Sequence, residues 1–147
     1  MALSSEVHTD AQRIILLSPL TITAAVSATA TTPTTGLGGM KALSVEAIFT
    51  YGSGGTTAKA YVQTSFDGGT TWVDIMCFAF TTATASKIST TTCLIAPAAQ
   101  AAAPTDGSLA DNTVIQGTLG DRLRVKYVTT GTYGGSTTLA IHAIAKG

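Results

Sequence analysis

The chain is poor in charge. Lysine, arginine, aspartate and glutamate make up 11% of its 147 residues, split evenly into 8 basic and 8 acidic side chains. At a formal net charge of zero it lacks the field that draws basic proteins onto nucleic acid or anionic lipid, so a nucleic-acid partner is not expected. Charged residues make up roughly a quarter of an ordinary soluble domain. Here they are fewer and the mean hydropathy is +0.35, too little polarity to cover a free monomer comfortably, and much of the surface is expected to meet other protein. Long apolar runs are also missing. The stretch 14–17 is stopped by Ser18 and Pro19, far short of the roughly 18–20 residues that span a bilayer, so no membrane partner is expected. Cysteine is scarce. Cys77 and Cys93 are too far apart for a CxxC knuckle, and only His8 and His142 stand by to complete a metal site, so neither metal nor cofactor is expected. Two buried thiols are the expectation from the burial preference of free cysteine, although facing strands would allow a disulfide. Residues 1–12 have no basic n-region and carry Glu6 and Asp10, so they do not read as a secretory signal; synthesis in a cytoplasm is expected.

Threonine is abundant, roughly one residue in five, with alanine nearly as common. Threonine is β-branched and favours strands, and several of its pairs adjoin glycine or proline, where strands begin and end. Leu43, Val45, Ala47 and Phe49 alternate with more polar neighbours, a period-two strand with one apolar face. The glycines of 52–55 then predict a reversal into a second alternating strand, 58–65, paired with the first as a hairpin. Asp67-Gly68-Gly69 predicts another reversal into 72–82. There Trp72, Met76, Phe78 and Phe80 are expected on one face, and Val73, Ile75, Cys77 and Ala79 on the other, which marks a central strand. A strand is expected over 86–95, then a long loop over 96–112 with room for one helical turn at 98–103. A final hairpin is expected from Leu123, Val125 and Tyr127 to Leu139, Ile141 and Ala143, with Arg122, Arg124 and Lys126 forming a cationic stripe on its exposed face. Residues 13–17 and 20–26 give two short strands, or one bent at Pro19. Seven to nine short strands without a useful helical segment predict an all-β protein: one antiparallel β-sandwich domain, jelly-roll-like, over 13–147, preceded by an arm at 1–12.

Catalytic constellations are poorly supported, and no catalytic residue is nominated. His142 sits in an alternating strand and His8 in the arm; Asp67, Asp74, Asp106, Asp111 and Asp121 fall mostly where turns are expected, which hydrogen bonding alone explains. The glycines of 36–39 and 134–135 precede no Lys-Ser/Thr and no helix, so neither is a phosphate loop. The most specific pattern is 65–72, Ser-Phe-Asp-Gly-Gly-Thr-Thr-Trp, which resembles the Asp-box of sialidases and related β-propellers at every fixed position: Ser65, Asp67, Gly69, Thr71 and Trp72. The resemblance implies a folding device, a carboxylate accepting backbone N–H groups across a turn. It occurs once here, in a chain too short for a propeller of four to eight blades.

The stretches 61–72, 120–127 and 133–135 resemble small virion proteins of tailed bacteriophages and prophages. That resemblance implies a head decoration or cement protein of jelly-roll-like fold, bound to the major capsid protein on the capsid exterior, synthesised in the host cytoplasm and acting as a homo-oligomer, dimer or trimer. Arg122, Arg124 and Lys126, with the arm, are the expected partner contacts; the plainer reading of the stripe is a solvated strand face. Two alternatives stay open: a tail, neck or host-adhesion component, and a carbohydrate-binding module. The latter needs exposed aromatics, for which Trp72, Tyr51, Tyr127 and Tyr133 are the candidates.

Overall fold

A computed structural model describes residues 11–93 and 103–147. The described residues are all-β and antiparallel, as expected, and contain ten strands: β1 (Ala11–Thr21), β2 (Val26–Ala30), β3 (Ala42–Thr50), β4 (Ser53–Gly54), β5 (Thr57–Thr64), β6 (Val73–Phe80), β7 (Ala85–Thr92), β8 (Leu123–Thr130), β9 (Tyr133–Gly134) and β10 (Thr138–Lys146). Two four-stranded sheets, β1-β10-β3-β7 and β2-β8-β5-β6, share one apolar core, and β4 and β9 form a small third pair. Residues 1–10, most of the expected arm, lie outside the described residues, as do His8, all but the last residue of the helical turn expected at 98–103, and the end of the expected strand at 94–95. Ala11 and Gln12, also assigned to the arm, are the first residues of β1.

The pairings describe one folded ribbon. β1 lies against β10, β2 against β8, β3 against β7 and β5 against β6, so the first half of the chain runs antiparallel to the second, with the fold-back at 65–72. Two lateral pairings, β10 with β3 and β8 with β5, roll that ribbon into facing sheets. This overturns two expected hairpins. β3 and β5 do not pair, and neither do β8 and β10; in each case the glycine-rich link carries the chain from one sheet to the other. The two links meet at the β4–β9 pair, where Gly52 and Gly135 pack so closely that a Cβ on Gly52 would lie 2.0 Å from the Gly135 carbonyl oxygen.

Period-two alternation places Leu43, Val45, Ala47 and Phe49 of β3 in the core beside Leu139, Ile141 and Ala143 of β10. Two β-bulges break the alternation where both neighbours are apolar. In β1 the register slips between Ile15 and Leu17, and Leu16 and Leu17 both turn inward. In β6, Val62 faces Met76 while Gln63 faces Asp74, so Ile75 and Met76 are both core residues. The second bulge corrects the face assignment of this strand. Trp72 does not share a face with Met76 and Phe78, because Asp74 and its neighbourhood are turned to the outside of the sheet.

β6 is also an edge strand, not a central one. Its free edge is covered by the segment 103–117, through bonds from Asp74 N to Thr105 O, Cys77 N to Thr113 O and Ile115 N to Ile75 O, which blunts an otherwise sticky edge. The aromatics Phe49, Phe80 and Tyr133 close one end of the core, with centroids 5.1 and 5.7 Å apart from Phe49. Cys77 is buried, but Cys93 is exposed and both are free, which corrects the expectation of two buried thiols.

Candidate functional site

The turn at 65–72 is a closed hydrogen-bonded unit. Asp67 Oδ1 accepts from the N–H groups of Thr70 (3.0 Å) and Thr71 (2.8 Å) and from the Ser65 hydroxyl (2.9 Å), while Oδ2 accepts from the Thr71 hydroxyl (2.6 Å). Ser65 Oγ in turn accepts from Gly69 N, and Trp72 Nε1 donates to the Gly69 carbonyl. Gly68 and Gly69 have φ of 76° and 91°, which residues with a side chain rarely adopt. Bonds from Thr71, side chain first and then backbone, hold the Asp67 carboxyl down to about 2. Each of the five pattern residues therefore has a local role, and the aromatic ring is buried at the turn's base.

The structure joins this turn to the cationic strand, a contact that no local pattern signals. Arg122 Nη1 donates to the Gly68 carbonyl at 2.8 Å, and the Arg124 guanidinium lies 4.3 Å from the Trp72 ring centroid, a cation–π contact. The three cations are not an exposed stripe. Their side chains keep 23, 18 and 20% of full exposure, and each has an acidic neighbour. Arg122 pairs with Asp121 at 2.9 Å, Lys126 with Asp106 at 2.9 Å, and Arg124 lies 3.9 Å from Asp106. Lys126 first and Gln63 second hold the Asp106 carboxyl below the ordinary carboxylate range, and Arg122 does the same for Asp121.

Behind them lies a group that sequence reasoning undervalued. Asp74 is fully buried on β6 and accepts from Gln63 Nε2 (2.8 Å), Thr105 Oγ1 (2.8 Å), and the N–H groups of Gly107 (2.8 Å to Oδ2), Ser108 (3.0 Å) and Leu109 (3.2 Å). Its burial is satisfied by the covering segment, which it fastens to the sheet. Gln63 is buried too, donating to Asp106 and accepting from Arg124 Nε. The signal available beforehand was an Asp inside an apolar strand beside a Gln in its neighbour, but period two placed that Asp against the core.

Among the candidate stacking aromatics, Trp72 and Tyr133 are buried. The Tyr133 hydroxyl donates to Thr81 O at 2.8 Å, so it is a core anchor. Phe66, which was not among the candidates, is 61% exposed at the turn. No grouping of three or more His, Cys, Asp or Glu side chains suited to a metal occurs among the described residues. His142 lies on the outer face of the β1-β10-β3-β7 sheet, in a shallow depression of about 320 Å³ shared with Arg13, Ser44, Glu46 and Ile88. Comparison of the chain with protein-family models, with curated proteins and with solved structures gives no significant match.

Proposed function

We propose that this chain is a structural protein of a phage-like particle, a decoration protein that docks on the exterior of the capsid shell by contact with the major capsid protein and reinforces it. The observation that carries this reading is Phe66, exposed on a turn whose backbone is locked by the Asp67 network and whose flank is Arg122. Phenylalanine and arginine are both enriched at protein interfaces, and a turn that is ordered before docking loses little entropy on docking. The strand order supports a jelly-roll-like fold, since pairing β1–β10, β2–β8, β3–β7 and β5–β6 before rolling is how an eight-stranded ribbon winds into that architecture. The mechanism is association. A subunit touching two capsomers gains effective concentration for its second contact, and repetition over the lattice reinforces the shell.

The test is re-addition of the purified chain to shells of the encoding phage assembled without it, read by co-sedimentation. Saturable binding is expected, weakened at least about tenfold by Phe66→Ala; a wild-type chain that never sediments with shells overturns the proposal. Phe66 is also the ring a sugar would stack on, so the carbohydrate-binding reading shares this observation. Glycan binding that disappears in Phe66→Ala while shell binding is absent would favour it instead.

A further inference from the structure

The outward face of the β1-β10-β3-β7 sheet is unlike the rest of the surface. The opposite sheet has its outer face crossed by the segment 103–113, which bonds to Asp74 and reaches Lys59 through Asp111 at 2.7 Å. On the first sheet, Ile15 and Ile88 remain 54 and 74% exposed, two of the three exposed large apolar side chains among the described residues. Ile48 and Ile144 are half-buried on the same face. On the opposite sheet Lys59, Arg122, Arg124 and Lys126 all have acidic partners. Arg13 and Glu46, on this face, have no ion pair among the described residues.

The registers show how these groups are laid out. Ile15 lies opposite His142, His142 opposite Glu46, and Glu46 opposite Ile88, so one row across the four strands reads Ile, His, Glu, Ile. The next row reads Arg13, Ile144, Ser44, Thr90, and on the other side Ala140, Ile48 and Ser86 follow. The first row is its own complement. If a second sheet is turned over about a two-fold axis that runs parallel to the strands between β10 and β3, β1 faces β7 of the other copy and β10 faces β3. Ile15 then meets Ile88, His142 meets Glu46, Ile48 meets Ala140, and Arg13 meets the neutral Thr90. No like charges oppose one another. An interface that pairs a patch with itself in this way is isologous, the arrangement of closed dimers.

We propose that this face is the interface with a second copy of the chain, the two sheets stacking with strands nearly aligned and the His142–Glu46 pairs at the centre of the seam. Four strands are roughly 19 Å wide and nine residues roughly 30 Å long, so each copy offers a footprint on the order of 600 Å². The total, on the order of 1,200 Å², lies at the lower limit of stable protein interfaces, and exposed β-branched side chains at the two outer columns are the groups that gain most from cover. The surface is remote in sequence from the Phe66 turn and does not depend on the shell-binding reading: the dimer can exist without a capsid, and a monomer could still dock through Phe66.

Sedimentation velocity of the full chain at micromolar concentration is expected to give twice the 14.8 kDa chain mass. Ile15→Glu and Ile88→Glu change exposed positions, so circular dichroism is expected to stay native, and each is expected to weaken the dimer by about tenfold or more. Orientation is tested in a Cys93→Ser background: a short bismaleimide is expected to join an Ile15→Cys chain to an Ile88→Cys chain when the two are mixed, and not to join either to itself. A monomeric or trimeric wild-type mass, a dimer indifferent to both glutamates, or preferential like-with-like cross-linking overturns the proposal.

Discussion

Removing the Asp74 carboxylate is expected to release the segment that covers β6. In Asp74→Ala the N–H groups of Gly107, Ser108 and Leu109 and the Thr105 hydroxyl lose their acceptor together, while Gln63 keeps its bond to Asp106. Each donor left buried and unpaired costs about 1–3 kcal/mol, so four of them exceed what the segment gains by staying in place. The segment is therefore expected to open and hydrate, which caps the loss at about 3–5 kcal/mol, the usual cost of emptying a buried charged site. Asp74→Asn is milder, about 2 kcal/mol. Its carbonyl can replace Oδ2, but its amide then faces Gln63 Nε2, and Gln63 cannot turn over without losing Arg124 and Asp106. Urea unfolding followed by the fluorescence of Trp72, the one tryptophan, measures the loss, and hydrogen exchange locates it at 105–109. Opening also bares the β6 edge, so the Ala variant is expected to scatter light on concentration. A loss below about 1 kcal/mol with unchanged exchange protection at Gly107, Ser108 and Leu109 would refute the reasoning.

Acid sensitivity follows from Asp67, whose folded-state value of about 2 lies below the ordinary 3.8. A depressed carboxyl contributes stability that is fully present above the unfolded value and is lost as the pH falls toward the folded one. The urea midpoint is therefore expected to drop between those two values, more steeply in the wild type than in Asp67→Asn; parallel profiles would count against the turn network. Gly120→Ala is expected to cost more than about 2 kcal/mol, since its Cβ would sit 2.0 Å from the Ser65 carbonyl oxygen. Gly68→Ala meets no atom within 4 Å and bears only the strain of φ 76°, about 1 kcal/mol; equal melting temperatures for the two would contradict the packing. A thiol reagent is expected to label Cys93 at once and Cys77 only on unfolding, because burial shields the second sulfur and raises its pKa. Two fast thiols in the native state would be inconsistent with the fold.

Strand existence and the inward faces of β3 and β10 were legible because Leu43, Val45, Ala47, Phe49, Leu139, Ile141 and Ala143 repeat at period two. Partners were not legible. Periodicity gives a strand's two faces and leaves open which edge it joins, and a short glycine link has the same local signature whether it turns a hairpin or, as here, crosses between sheets. The bulge in β6 shows a second limit. Ile75 and Met76 are adjacent and both apolar, so either alternation or a slip of one residue buries apolar groups; only the slip also carries Asp74 away from the core and onto the 105–109 backbone. A buried carboxylate in an apolar core costs several kcal/mol, and that cost, more than strand propensity, selects the register.

The candidate surface follows the same logic. Charge is scarce in this chain, and half of the described cations, Lys59, Arg122, Arg124 and Lys126, sit on or beside the outer face of the β2-β8-β5-β6 sheet, where Asp106, Asp111 and Asp121 neutralise them. From the sequence, Arg122, Arg124 and Lys126 read as a solvated strand face or as a contact for an acidic patch on a partner, because Asp106 and Gln63 are far away along the chain and only the ribbon's closure brings them near. Once those charges are matched within the chain, they no longer suit a strongly electrostatic partner. Among the described residues, the exposed large apolar side chains are then the groups best suited to contact: Phe66 on a rigid turn, and Ile15 and Ile88 of the other sheet. Contacts of that kind are expected to persist at high salt, since screening weakens exposed ion pairs and leaves hydrophobic burial intact. Dimer mass measured across a salt series separates the two cases, and a dimer that dissociates as salt is raised would place its binding energy in Arg13, Glu46 and His142 instead of in Ile15 and Ile88.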